Sequence, residues 1–264
     1  MSTAAEPVLL VSTQGAVRVL TLNRPAALNS FTAAMHELLL PALHAAAADA
    51  TVRALIVTGA GRAFCAGQDL NDPELTGPEG DVGNVVERRY MPLALAIRAM
   101  PVPVIAAVNG VAAGAGANFA LGCDLVIAAR SASFIQAFSK IGLIPDCGGT
   151  WLLPRLLGRA HALGLALTAD KLPAEEAARI GLIWQCVDDA ALMDTALALA
   201  AKLAAMPTKA LAETRRALDD AAGLDYAAAL ALEAARQGEL GRAHDAREGI
   251  AAFVAKRAPV FKDR

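Results

Sequence analysis

Apolar residues occur along this chain in two kinds of stretch. Short continuous runs bounded by Gly, Pro or Asn predict buried strands at residues 8–12, 16–22, 54–58, 102–108 and 183–187. The first two are close enough to pair as a hairpin across Gly15. Between the runs the apolar period lengthens to that of a helix. Thr32 stands where an N-cap accepts a backbone N–H, and the helix predicted at 33–48 puts Met35, Leu38, Leu39, Ala42 and Leu43 on one face, with a kink at Pro41. Further helices are predicted at 85–100, 150–157, 160–168 and 173–180, punctuated by Pro101, Gly158, Asp170 and Gly181. Residues 71–84 carry Pro, Gly and acids with no period, which predicts a loop of the kind that covers binding sites. From residue 190 the chain is alanine-rich and helical, with breaks expected at Pro207, Gly223, Gly238 and Gly241. Strands alternating with helices define an α/β fold with a largely parallel sheet, here followed by a C-terminal helical layer.

Composition narrows the function. A chain of 264 residues, 56% hydrophobic, is long enough to bury a large core. Its 24 basic residues are interspersed among 26 acidic ones, so there is no cationic stripe to follow a phosphate backbone and no nucleic-acid partner is expected. Cys65, Cys123, Cys147 and Cys186 form no CxxC pair, which argues against a zinc or dithiol site and for reduced thiols in the cytoplasm. The first twelve residues lack a basic segment and include Glu6, a poor export signal. Residues 99–123 are uncharged over a length that could span a bilayer. Pro101, Pro103, Asn109, Asn118 and four glycines would leave backbone groups unpaired in lipid, so no membrane span is expected there.

Candidate chemistry concentrates in residues 102–154, a stretch whose only acids are Asp124 and Asp146. Two glycine turns, at 65–68 and 114–116, each follow an apolar run, and each can point backbone N–H groups outward. Two such groups aimed at one carbonyl oxygen make an oxyanion hole, and the second turn opens a helix whose free N–H groups favour negative charge. The alternative is that these glycines only relieve tight turns. Gly110, Gly114 and Gly116 lack the GxGxxG spacing of a dinucleotide site. Asp146 is either a proton carrier or a turn residue before Gly148 and Gly149. Asp124 and Asp69 read as capping or loop-fixing residues. His36, His44, His161 and His244 lie outside these motifs and read as surface or packing residues.

GRAFCAGQDL, AAVNGVAAGAGANFALGCDLVIAA and FSKIGLIPDCGGTWLLPRLLGR, in that order, resemble the enoyl-CoA hydratase/isomerase (crotonase) superfamily. NRPAALN and AFVAKRAPVF also match, so the resemblance covers nearly the whole chain. It implies an α/β spiral of ββα turns over residues 1–200 and a C-terminal helical trimerisation region over 201–264. It also implies an acyl-CoA thioester held by the backbone N–H groups of Gln68 and Ala115. The hydratases carry two glutamates where this chain has Asn118 and Phe138, neither of which can act as a general base. Asp146 matches the position of the isomerases' proton-shuttling Asp. Some dehalogenases of the superfamily use an Asp there as a nucleophile with a His near residues 85–95, and this chain has no His in that stretch.

More closely, CAGQDLND, NGVAAGAGA, AFSKIGLIPDCGGTWLLPR and GLIWQCVDD are similar to the isomerases of bacterial phenylacetate degradation, which convert a ring-1,2-epoxyphenylacetyl-CoA to its oxepin. That similarity implies an isomerase with Asp146 as its acid/base. The same base would serve Δ3-to-Δ2 enoyl-CoA isomerisation, and a non-catalytic acyl-CoA-binding member of the fold is a third reading. Leu70, Phe138, Ile141 and Leu143 would shape the acyl pocket, with core packing as the alternative. Arg24, Ala26, Leu28, Ala63, Ala66, Phe253 and Lys256 would contact CoA, with Lys256 from the same or a neighbouring subunit of a homotrimer or dimer of trimers. No metal or separate cofactor is expected, because the thioester supplies the activation.

Overall fold

The computed structural model describes residues 6–264; positions 1–5, the start of the segment read as a poor export signal, lie outside the described residues. The first apolar runs form β1 (Leu9–Gln14) and β2 (Val17–Leu22), paired antiparallel. Next comes α1 (Ala33–Ala48), whose first turn is capped by Thr32 Oγ1 accepting the Met35 N–H at 3.3 Å. It runs through Pro41 as one helix. Its buried face is Met35, His36, Leu39, Leu43 and Ala46, while Leu38 is exposed, so the predicted face was rotated by part of a turn. The apolar period cannot register a histidine as a core residue, and here one is.

The chain then follows β3 (Ala54–Gly59), β4 (Ala63–Cys65), α2 (Pro73–Thr76), α3 (Val82–Val85), a π-helical turn at Val86–Tyr90 and α4 (Met91–Ala99). Residues 71–84 are therefore not wholly irregular. Asp72 and Asp81 cap the two short helices, accepting the N–H groups of Glu74 at 2.9 Å and Gly83 at 2.7 Å. After them come β5 (Val104–Val108), β6 (Val111–Ala113), α5 (Ala115–Leu121), β7 (Leu125–Ala129), β8 (Ser133–Ile135), α6 (Gly149–Thr168), β9 (Leu172–Pro173), α7 (Ala174–Arg179) and β10 (Gln185–Val187). Gly158 interrupts α6 with non-helical backbone, φ 70 and ψ 167, at the break its position predicted. The C-terminal layer is α8 (Leu192–Ala204), α9 (Thr208–Ala221), α10 (Tyr226–Arg242) and α11 (His244–Val254). Gly238 and Gly241 lie inside α10 and break nothing.

Two sheets result, one in the order β1-β2-β3-β5-β7-β10 and one in the order β4-β6-β8-β9. Within the first, every neighbouring pair from β2 to β10 is parallel. The chain passes from the first sheet to the second and then to a helix three times, as β3-β4-α4, β5-β6-α5 and β7-β8-α6. This is the ββα spiral. Strands β3 and β5 are buried almost throughout, with α8 packed on both, which is why they read as unbroken apolar runs. The strands of the second sheet span two or three residues each, too short to show a period, and the pattern missed all four. Gly116 permits close packing between the layers: a Cβ there would lie 2.4 Å from the Cys65 carbonyl oxygen. Helix α8 packs on β2, β3, β5 and β7, whereas α10 packs against α9 and α11. Among the described residues no single helix is long and apolar enough to cross a membrane.

Candidate active site

Both glycine turns leave short strands of the second sheet and meet. After β4, the Ala66 N–H donates to Leu28 O at 3.0 Å, Gly67 O accepts the Phe31 N–H at 2.7 Å, and the Asp69 N–H donates to Phe31 O at 2.9 Å. These bonds make one parallel bridge between Phe31 and Gln68. Because the bonds toward residue 31 come from positions 67 and 69, the intervening Gln68 N–H points to the other side. Gly67 has φ +92, and a Cβ on it would sit 2.9 Å from Ala113 O and 3.5 Å from Ala115 N. Only glycine lets the turns approach so closely.

At the second turn Gly114, with φ 52 and ψ −130, donates its N–H to Ile135 O at 2.9 Å. Ala115 is the first residue of α5, so its N–H has no helical carbonyl to reach. Among the described residues, the N–H groups of Gln68 and Ala115 donate to no protein acceptor.

Both turns line a cavity of about 210 Å³ together with Asp146, Leu70, Phe138, Ile141 and Leu143. Asp146 Oδ1 is buried and has no hydrogen-bond partner. Burial raises this carboxyl from 3.8 to about 6, opposed by a hydrogen bond from its own backbone N–H. The main chain there is held firmly: Asp146 O accepts the Gly149 N–H at 2.8 Å and Asn118 Nδ2–H at 2.9 Å.

Asn118 is wholly buried, and its Oδ1 accepts Gln136 Nε2–H at 2.9 Å. The residue at one hydratase glutamate position is thus a clamp on the aspartate's backbone. Asn118→Ala is expected to leave Gln136 Nε2 without its acceptor and Asp146 O with the Gly149 N–H alone, and to cost about 1–3 kcal/mol. A thermal or urea unfolding curve checks this.

The other sequence-derived candidates separate. Ala66 lines the cavity. Arg24 stands beside the first turn, but its guanidinium is already engaged, with Nη1 on Ser30 O at 2.7 Å and Nη2 on Asp69 at 2.9 Å. Ala26 and Leu28 lie in and just after a short 3₁₀ turn, with Leu28 left-handed at φ 51. Ala63 is buried in β4 and its carbonyl accepts from Asn29 at 2.8 Å, which makes it a packing position without the surface a CoA contact needs. Phe253 is 85% exposed near the end of α11, and Lys256 follows it at φ 52; neither lines the cavity.

Asp124 accepts the Val104 N–H at 2.7 Å and Arg215 at 2.8 Å, tying β5 to α9 away from the cavity. Asp69 accepts the Asn71 N–H at 3.1 Å as well as Arg24, and so fixes the loop after the first turn. His244, Asp245 and Asp263 lie close enough to share an ion, but Asp245 already accepts the N–H groups of Lys262 at 2.7 Å and Asp263 at 3.0 Å, stapling the C-terminal tail.

Sequence reading missed Tyr90, which lines the cavity and donates its hydroxyl to Gln68 Oε1 at 2.5 Å. It also missed Leu75, Val82, Val85 and Val86, apolar residues of the covering segment 73–86. Nothing in a lone tyrosine on an amphipathic stretch marks it as functional. His36 lies behind it, 5.1 Å from the Phe31 ring and 4.8 Å from the Tyr90 ring. Burial and the nearby Arg89 guanidinium lower His36 to about 4, so it is neutral at physiological pH.

Two unpaired backbone N–H groups and one carboxyl of raised pKa, around an apolar cavity, are the parts of an enzyme that holds a carbonyl-derived anion and moves a proton. The chain matches the enoyl-CoA hydratase/isomerase family model over residues 12–264 and belongs to that family. It is 54% identical over 255 residues to the 1,2-epoxyphenylacetyl-CoA isomerase of Escherichia coli (strain K12), covering 96% of this chain and 97% of that protein. It is also 52% identical over 246 residues, covering 93% of this chain and 94% of the other, to a Rhodobacter capsulatus protein described as "Probable enoyl-CoA hydratase". The solved enoyl-CoA hydratase of Bacillus anthracis superposes with a TM-score of 0.91 at 33% identity, over 97% of this chain and 100% of that one.

Proposed function

We propose that this protein is an acyl-CoA isomerase whose substrate is a ring-1,2-epoxyphenylacetyl-CoA, converted to the oxepin isomer, with Asp146 as the single proton carrier. Nearly equal identity to an isomerase and to a protein described as a hydratase does not choose between the reactions. The cavity favours the isomerase: among the described residues that line it, Asp146 carries the one carboxylate. Adding water needs one group to activate the water and another to protonate the carbon, and Asn118 and Phe138 can do neither. Moving a proton needs one group that can take it and give it back.

In the proposed reaction the thioester carbonyl accepts from the Gln68 and Ala115 N–H groups. Asp146 takes a proton from the carbon next to that carbonyl. The C–H electron pair moves into the enolate, whose oxygen the two donors stabilise. The protonated Asp146 returns the proton to a ring carbon as the three-membered ring opens into the seven-membered one. No atom is gained or lost, and the CoA thioester supplies the activation without a further cofactor. The largely apolar lining also suits a Δ3-unsaturated acyl chain, for which the same proton transfer gives the Δ2 isomer. Turnover of the ring epoxide followed by product absorbance tests the main reading. A protein that shifts only Δ3 double bonds and leaves the epoxide intact would replace it with the second.

The remaining assignments belong to this proposal. Ile250, Phe253 and Val254 are 68%, 85% and 76% exposed on one helix, which supports residues 201–264 as the trimerisation region of a trimer or dimer of trimers; Lys256, from the same or a neighbouring subunit, would be a phosphate contact. Four free cysteines fit a cytoplasmic protein.

The active base is the ionised form of Asp146, and burial raises its pKa to about 6. The rate is therefore expected to fall below that pH, tenfold per pH unit well below it, and to level off above. A kcat/KM profile from pH 5 to 8 that stayed flat would remove Asp146 from the proton-transfer step.

A further inference from the structure

The cavity wall has four polar side chains: Gln68, Tyr90, Lys140 and Asp146. Lys140 is exposed. Asp146 is the proposed proton carrier. Gln68 and Tyr90 remain, and they are bonded to each other by the Tyr90 hydroxyl donating to Gln68 Oε1 at 2.5 Å. That bond turns the amide oxygen toward Tyr90, and among the described residues the Gln68 NH₂ group donates to no protein acceptor. An unpaired donor on an otherwise apolar wall disfavours a pure hydrocarbon and favours a ligand that carries an oxygen at that place.

The pair is also rigidly mounted. Tyr90 ends the π-helical turn Val86–Tyr90 that precedes α4, an irregularity common at functional sites. Its ring is 1% exposed and packs edge-on against Phe31 at 5.7 Å and His36 at 4.8 Å, so the hydroxyl cannot swing away.

We infer that Tyr90 and the Gln68 side-chain amide form an oxygen-recognition subsite that selects acyl groups bearing a ring oxygen over plain aryl or alkyl chains. Tyr90 acts as a positioning residue, holding the amide with its NH₂ toward the ligand. The Gln68 amide is the contact, separate from the same residue's backbone N–H. This inference rests on the proposed aryl-acyl-CoA reading of the cavity, and it goes further by assigning the substrate's ring oxygen a partner.

The test is equilibrium binding of two unreactive probes, 2-hydroxyphenylacetyl-CoA and phenylacetyl-CoA, to the full-length protein and to Tyr90→Phe and Gln68→Met. Tyr90→Phe keeps the ring and its aromatic contacts; Gln68→Met keeps side-chain length and the backbone N–H. The unmodified protein is expected to bind the oxygenated probe about tenfold or more tightly than the plain one. Both variants are expected to bring the ratio near one. Equal binding of the probes by the unmodified protein, or a preference that survives in both variants, would overturn the subsite. Failure of the isomerase reading shows separately, as absent epoxide turnover, because the binding ratio requires no chemistry. If either variant does not fold, as seen by circular dichroism, the other still reads the ratio.

Discussion

Asp146→Asn is expected to remove turnover and raise stability in the same molecule. General acid–base groups contribute about 10²–10⁴ in rate, and with no second carboxylate among the described residues that line the cavity, the upper end of that range is expected. CoA-ester binding should persist, since the proposed oxyanion donors are backbone groups on other turns. Solvent deuterium should no longer enter the carbon next to the thioester, as read by NMR in D₂O. A variant that exchanges and turns over at near-normal rate would show that the proton passes elsewhere.

The stability gain follows from the burial of the carboxyl. A pKa raised from 3.8 to about 6 means that the folded state holds a proton more tightly than the unfolded chain. As pH rises from about 4 to 6 the native state must surrender that proton, and its stability falls. Above pH 6 the whole cost is present, up to roughly 3 kcal/mol for a rise of this size. Asparagine carries no charge, so its advantage should be full at pH 8 and fade below pH 4. Melting temperatures of the two proteins at pH 8 and pH 4 give the comparison. An advantage that did not change with pH would point to packing as its source.

Ala115→Pro is expected to lower kcat by about 10²–10³, the usual consequence of removing one oxyanion donor. Ala115 is the first residue of α5, where proline is well tolerated because that N–H has no helical partner to lose. The substitution deletes the hydrogen-bond donor without breaking a bond in the folded protein. A single-turnover rate, with circular dichroism to confirm the fold, measures the effect. Unchanged turnover would mean that the second glycine turn serves only to join β6 to α5.

Much of this was legible along the chain. The buried strands β3 and β5 read as apolar runs because they are buried almost throughout, and the start of α1 at Thr32 read correctly because its cap is local. The three motifs indicated both glycine turns and Asp146. Leu38 and His36 exchanged roles because burial in α1 follows the neighbouring aromatic rings, which periodicity does not represent. The resemblance put Ala63 among the CoA contacts, and in the fold it is buried in β4.

The sequence alone determined which groups are available: one acid in the right motif, no base at Asn118 or Phe138, and glycine where two turns must touch. These are statements about side-chain chemistry and backbone freedom, which travel with the residue. The tertiary structure decided the rest. Asp146 has a raised pKa because other segments exclude water from Oδ1. Asn118 becomes a clamp because a distant loop brings Asp146 O within 2.9 Å. Tyr90 reaches Gln68, 22 positions earlier, because the π turn before α4 lies over β4 and its glycine turn. Desolvation and long-range hydrogen bonds depend on what surrounds a group in space, and no local pattern of apolar and polar positions contains that information.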